Sequence, residues 1–249
     1  MNITIAGYGF VGKSHVELMK QHFTINIVDP KISTDKIKDN PTDAVIICVN
    51  TPQHPSGACN INNVYEVITD TPKDIPILIR STISLEGWLY LKETFSERSL
   101  TYSPEFLRAE TAERDFRNTQ YMYYAGDDIT FWEATFRKVF PKVISVHMQP
   151  EELILVKYFR NAFLATKVSF FNQVYDLCQA FGVNYKNVAA GVGQDLRIGA
   201  SHTDVTSARG WGGHCFPKDT AALLHTAELE GVELSVMQEA INYNNKIRK

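Results

Sequence analysis

A chain of 249 residues that is 44% hydrophobic and 21% charged can bury one large core or two smaller ones, which excludes a disordered or low-complexity polymer. Its formal net charge of -3 argues against a nucleic-acid groove or an anionic membrane surface as the main partner. No stretch approaches the roughly 20 apolar residues of a membrane span, and Cys48, Cys59, Cys178 and Cys215 form no CxxC pair, so neither a metal site nor a disulfide framework is expected.

The opening Met1-Asn2-Ile3-Thr4-Ile5-Ala6-Gly7 reads as a strand rather than a signal peptide, which predicts a cytoplasmic protein. A glycine turn follows, then a helix from about Lys13 to His22 and a strand over Thr24 to Asp29, together one βαβ unit. Further strands are predicted at Ala44 to Val49, Ile75 to Arg80, Thr119 to Tyr124 and Lys142 to Val146, separated by helical segments. That alternation predicts an α/β fold with a doubly wound parallel sheet of the Rossmann type over residues 1–149. After Pro150 the strand signals stop. A long helix is predicted from Glu151 to Phe181, with acidic Glu151 and Glu152 at its positive end and Gly182 as its C-cap. Another opens at Pro217 and closes near Gly231, and a last one starts at Glu233, so residues 150–249 read as an all-helical domain.

Gly7-Tyr8-Gly9-Phe10-Val11-Gly12 fits GxGxxG and lies between the first strand and its helix, where the pattern carries meaning. Its glycines allow a tight turn and close approach of a pyrophosphate to free helix-start amides. Asp29, ending the second strand, is placed to accept from both adenosine ribose hydroxyls and to repel a 2′-phosphate, which favours NAD over NADP. A glycine turn in a fold without nucleotide, flavin binding and methyl-donor binding share the motif.

Gly212-Gly213-His214-Cys215-Phe216-Pro217-Lys218-Asp219 places Cys215 just before a predicted helix start. There free amides, the helix dipole and Lys218 favour the thiolate, the nucleophilic form. Cys48, Cys178 and Cys59 read instead as small buried hydrophobes. Lys157 and Asn161 are four residues apart on the long helix, on one face, and either share a ligand or form a solvated stripe. Lys167 reads as surface. Thr82 and Glu105 follow strand-like segments, where such a fold exposes its crevice, and either also suits a cap or turn.

These residues together make the chain resemble the UDP-glucose/GDP-mannose dehydrogenase family. The likeness covers nearly the whole chain: Gly7 to Gly12, Cys48 to Pro52, Arg80-Ser81-Thr82, Ser103 to Arg108, Val156 to Asn161, Asp195 to Gly199 and Gly210 to Asp219. The last run and Arg197-Ile198-Gly199 are more similar to the UDP-glucose members than to the GDP-mannose or N-acetylmannosamine members. The resemblance implies a four-electron oxidation of a sugar C6 alcohol to a carboxylate, using two NAD and one water. It implies that Gly7, Gly9, Phe10, Val11, Gly12, Asp29, Val49, Thr51, Thr82 and Lys218 contact NAD. Thr82 and Asp219 would hold a water, the Cys215 thiolate would attack an aldehyde, and Lys157 and Asn161 would stabilise the oxyanion. Glu105 or the Asp219 network would activate water to hydrolyse a thioester. Glu105, Phe106, Leu107, Arg108, Lys157, Asn161 and Gly212 would meet the sugar nucleotide, and Arg197 would reach that of a neighbouring subunit in a homodimer built on the long helix.

Two residues depart from the family pattern. Ala109 stands where a second glutamate is usual, with Glu110 displaced by one, and Asn50 stands where proline is usual. The chain stops at Lys249, where family members continue into a second Rossmann-like domain. The expectation is therefore a chain lacking the C-terminal UDP-binding domain, acting as a minimal form or completed by a separate chain. Two further readings are a single-hydride dehydrogenase of the 6-phosphogluconate type, which needs no thiol, and a silent NAD-binding or dimerisation module.

Overall fold

The computed structural model describes residues 1–32 and 34–249, and sorts them into two units: Met1–His54 with Cys59–Lys157, and Pro55–Ala58 with Tyr158–Lys249. The first carries a seven-stranded sheet of β1 (Asn2–Ala6), β2 (Thr24–Val28), β3 (Ala44–Ile47), β4 (Ile77–Ile79), β5 (Leu100–Tyr102), β6 (Tyr121–Gly126) and β7 (Ile144–His147), in the order β2-β1-β3-β4-β5-β6-β7. Its helices are α1 (Phe10–Met19), α2 (Asn62–Asp70), α3 (Leu85–Thr94), α4 (Ala112–Arg117) and α5 (Ile129–Val139).

Every residue of β3 and β4 is buried. Side chains alternate between the faces of a strand, so both faces of the sheet centre are covered. On one face Ile3, Ile5, Ile46 and Leu78 share a core with Val16 and Met19 of α1, Phe116 of α4, and Trp132 and Phe136 of α5. The order of succession reverses at β1: β2 lies on one side of it and β3 on the other, all three strands parallel. The crevice at the carboxyl ends of β1 and β3 is where such sheets bind ligands.

Three expectations need correction. α1 begins at Phe10, not Lys13, because Gly12 belongs to its first turn rather than to the loop. The sheet is not parallel throughout: β6 runs antiparallel to β5 and parallel to β7. Apolar patterning reports burial, not direction. The reversed pairing is closed by Asp127, whose N–H donates to Leu100 O (3.0 Å) and whose carboxylate accepts from Leu100 N (3.1 Å). β5 itself, three residues long, is too short to stand out by periodicity.

The second unit is helical. It takes most of α6 (Pro150–Phe181), then α7 (Tyr185–Gly193), α8 (Phe216–Leu229) and α9 (Ser235–Ile247). α6 ends as expected at Gly182, whose φ of +65° lets Val183 N reach Cys178 O (3.0 Å) and Gly182 N reach Gln179 O (3.1 Å). Phe171 and Cys178 of α6 pack with Tyr185 and Ala189 of α7, a helix the apolar pattern had not indicated. Phe159, Phe163, Phe170, Leu177 and Phe181 of α6 are exposed. At about 100° per residue they fall within roughly 40° of one another, a single apolar stripe.

The first core also holds a titratable group. His15 of α1 is fully buried, its Nδ1 donates to Val11 O (2.9 Å), and its Nε2 has no hydrogen-bond partner. Burial, and secondarily the charge of Arg80, lower its pKa from 6.5 to about 3. The folded state therefore keeps His15 neutral while the unfolded chain takes up a proton below pH 6.5, so stability falls from pH 6.5 towards 3 by roughly 1.4 kcal/mol per unit. His15→Phe is expected to flatten the dependence of Tm on pH over that window, measured by calorimetry. An unchanged slope would refute the assignment.

Candidate active site

In the first unit the glycine loop leaves β1 at the switch point. Gly7 (φ +94°) presses on β3: a Cβ there would lie 2.6 Å from Cys48 O, and one on Gly12 would lie 1.9 Å from Gly7 O. Only glycine fits at either place. A Cβ on Gly9, by contrast, would meet nothing within 4 Å, and Gly9 is the N-cap of α1 with no side-chain cap bond. An open approach to the helix-start amides of Phe10 and Val11 results, a fit for the pyrophosphate of a dinucleotide. Asp29 follows β2 directly and accepts from Tyr8 N through Oδ2 (2.6 Å) and from Lys31 N through Oδ1 (2.8 Å). It thus ties the loop in place, and each carboxylate oxygen has a second lone pair for a ribose hydroxyl.

Thr82 lies after β4, buried, with its carbonyl accepting from Thr51 Oγ1 (2.7 Å) and Cys59 Sγ (3.5 Å). Cys59 is therefore more than packing. Val49 O accepts from Ser81 Oγ (2.7 Å), which joins the ends of β3 and β4. Cys48 is inert, since burial pushes its thiol up to about 12.

Lys157 and Glu105 form a buried pair, 2% and 5% exposed. The ammonium donates to Glu105 Oε1 (3.0 Å) and to Glu105 O (2.6 Å), and sits 5.4 Å from the centroid of the Phe106 ring. Glu105 Oε2 accepts from Leu107 N (2.5 Å), so the carboxylate also shapes its own turn. Leu107 packs against the core of the first unit. Arg108 is brought to Asp115 through Nε (2.8 Å) and Nη2 (2.6 Å), and this bond holds the Asp115 carboxyl well below the usual range. Ala109 opens a 3₁₀ turn, and Glu110 is exposed.

A further buried cation was not in the predicted set. Arg80, 4% exposed, donates from Nη1 to Ser103 O (2.6 Å) and Ser103 Oγ (2.7 Å). Burial lowers its pKa, opposed by the negative charge of Glu105. An arginine closing an apolar strand was the available signal.

In the second unit Cys215 is the N-cap of α8, half-exposed, with Pro217 in the first turn. Asp219 is 1% exposed, and its N–H donates to Cys215 O (2.8 Å). Asn161 Nδ2 donates to Asp219 Oδ2 (2.6 Å), and Lys218 Nζ lies 3.0 Å from Asp219 Oδ1. The structure thus brings together Cys215, Lys218, Asp219 and Asn161. Gly212 lies under the Arg248 guanidinium, 2.7 Å from where a Cβ would stand. Arg197 is exposed and paired with Asp195 (2.5 Å). Lys167 is not simply surface: its ammonium donates to Ile198 O (2.7 Å) and Gly199 O (2.9 Å), holding the turn that bears Arg197.

Among the described residues no group of three or more His, Cys, Asp or Glu could hold a metal ion, and no helix is long and apolar enough to cross a membrane.

The glycine loop at a switch point, followed by a helical unit with a cysteine at a helix start, defines a dinucleotide-binding α/β protein of the Rossmann type. Residues 152–246 match the model of the central domain of the UDP-glucose/GDP-mannose dehydrogenase family. The chain is 34% identical over 215 residues to a UDP-glucose 6-dehydrogenase of Rickettsia conorii, covering 82% of this chain and 49% of the relative. With one of Haloferax volcanii it is 28% identical over 236 residues, covering 85% and 54%. The structure of a UDP-glucose dehydrogenase from the archaeon Pyrobaculum islandicum superposes with a TM-score of 0.84 at 26% identity, over 98% of this chain and 68% of that one. A UDP-D-ManNAc dehydrogenase structure from Pyrococcus horikoshii shares the fold, with a TM-score of 0.80 at 18% identity over 99% and 69%. The chain spans about half the length of the curated relatives it matches.

Breaking the Lys157–Glu105 pair leaves a buried carboxylate uncompensated. Lys157→Met is expected to lower the urea-unfolding free energy by about 3–5 kcal/mol. Adding Glu105→Gln is expected to recover part of it, and a purely additive double mutant would contradict the coupling.

Proposed function

We propose that this chain is the catalytic portion of an NAD-dependent nucleotide-sugar 6-dehydrogenase, oxidising UDP-glucose to UDP-glucuronate through a cysteine thioester. Residues 1–149 bind NAD, and residues 150–249 supply the nucleophile and the dimer interface. What supports the reading above all is Cys215 at the start of α8, one turn from a buried Asp219 that Asn161 and Lys218 hold.

NAD, when bound at Gly7 to Gly12, Asp29, Val49, Thr51, Thr82 and Lys218, supplies the hydride acceptor for both oxidations. Thr82 and Asp219 hold the water that takes the C6 hydroxyl proton. Cys215 Sγ adds to the resulting C6 aldehyde, and Lys157 and Asn161 donate to the oxyanion of the thiohemiacetal, for which one such donor is worth about 3 kcal/mol. After the second oxidation, Glu105 or the Asp219 network takes a proton from water as it adds to the thioester. The C–S bond breaks, and the acid leaves with the thiolate restored. Phe106, Leu107, Arg108 and Gly212 are the further residues assigned to the sugar nucleotide. The apolar stripe of α6 supports a homodimer, in which Arg197 reaches the neighbour's substrate. The working compartment is the cytoplasm.

With UDP-glucose and excess NAD, two NADH per sugar are expected, and Cys215→Ala is expected to abolish acid formation. The assay is run with and without the C-terminal domain of a relative added in trans. One NADH per turnover with released aldehyde would overturn the thioester route. NAD binding by calorimetry with no turnover on any sugar nucleotide, even with that domain, would leave a silent binding module instead.

A further inference from the structure

Cys215 hangs on a span whose Gly212-Gly213 offers no side chain to anchor it. The anchor lies just upstream and consists of two buried carboxamides. Asn244 of α9, 5% exposed, accepts from Trp211 N through Oδ1 (2.7 Å) and donates from Nδ2 to Trp211 O (3.1 Å). Asn172 of α6, 1% exposed, accepts from Arg209 Nε (2.9 Å) and Gly210 N (3.1 Å), while its Nδ2 donates to Val168 O (2.9 Å). Each carboxamide uses both ends, giving buried backbone groups the partners that a neighbouring strand would otherwise provide.

The held segment is in an uncommon shape. Arg209 and Gly210 are consecutive left-handed residues, at φ +55° and +52°. A Cβ on Gly210 would lie 2.3 Å from Asn244 Oδ1, so the carboxamide occupies the space that only glycine leaves. Beyond them the Trp211 indole donates to Ser169 Oγ (2.9 Å), which in turn donates to Ala240 O (3.0 Å). The indole also meets the ring of Phe216 edge-on, at 6.3 Å and 85°. Phe216 is the first residue of α8, next to Cys215.

We propose that Asn244 is a positioning residue for Cys215: by gripping the backbone of Trp211 at both N–H and carbonyl, it sets where the Gly212-Gly213 span delivers the thiol to α8. The proposal rests on the reading of Cys215 as the nucleophile, since only a reacting thiol needs that accuracy. Truncating Asn244 leaves two backbone groups of a buried residue unpaired and frees the span to move the sulfur away from the helix-start amides. Asn244→Asp keeps an acceptor for Trp211 N–H and loses the donor to its carbonyl, so its effect is smaller.

The test is the rate of iodoacetamide alkylation of the 249-residue chain against pH, read at each cysteine by peptide mass mapping. Asn244→Ala is expected to slow labelling of Cys215 at pH 7 by about tenfold, as a thiol moved away from the helix-start amides loses thiolate character. Asn244→Asp is expected to fall between it and the parent. The buried Cys48, Cys59 and Cys178 serve as internal controls. Faster labelling of those three with Cys215 unslowed would assign Asn244 to general stability and overturn the proposal, as would a parental profile in a folded Asn244→Ala. If Asn244→Ala does not fold, Asn244→Asp decides alone, and a parental profile there overturns it. Alkylation needs neither NAD nor sugar nucleotide. A chain that labels as expected yet forms no acid, even with the C-terminal domain of a relative added in trans, overturns the dehydrogenase reading and leaves the positioning role standing.

Discussion

A carboxylate taken out of water must meet a cation or a full set of donors, and this requirement shapes the first unit around Glu105. The Lys157 ammonium contacts both the carboxylate and the carbonyl of that residue, while Leu107 N donates to the other carboxylate oxygen. One side chain at the start of a long helix thereby fixes the conformation of the loop after β5. Arg80 grips the same loop at Ser103. Two buried cations of different geometry hold it, the planar guanidinium at a hydroxyl and a carbonyl and the compact ammonium at a carboxylate. Losing either leaves polar groups unpaired in a region with no water to replace the partner.

The second unit solves the same problem with different residues. Asp219 is almost fully buried, yet lies between the Asn161 carboxamide and the Lys218 ammonium. Because Asp219 N also closes the first turn of α8 on Cys215 O, the carboxylate and the thiol belong to one rigid turn. A thiol set at a helix start and backed by such a network is held with little freedom to move. The glycines before it carry no side chain, and the carboxamides of Asn172 and Asn244 bond the backbone just ahead of them.

Residue types with unusual chemistry in their spacing were legible from the chain. Gly7 to Gly12 could be read because Gly7 and Gly12 answer steric demands of the turn, as the 2.6 Å and 1.9 Å approaches there show, whereas a Cβ on Gly9 would meet nothing within 4 Å. Cys215 before Pro217, and Lys157 four residues from Asn161, could be read because helix periodicity places side chains reliably. The residues that escaped notice act on backbone atoms far away in the chain. Arg80, Lys167, Asn172 and Asn244 all bind main-chain groups, which every residue carries, so no spacing marks their partners. Arg108 pairs with Asp115, a contact no local pattern foretold.

The sequence by itself determined the class of fold, the glycine turn between β1 and α1, the extent of α6 with its glycine stop, and the place of Cys215 at a helix start. These follow from short-range sterics and periodicity. Only the tertiary structure decided that β6 runs against β5, that Glu105 is neutralised by Lys157 while Asp219 is held by Asn161 and Lys218, and that two carboxamides bond the backbone ahead of Cys215. Strand direction and the pairing of buried charges depend on which groups leave water together, and that is settled only when the chain has closed on itself.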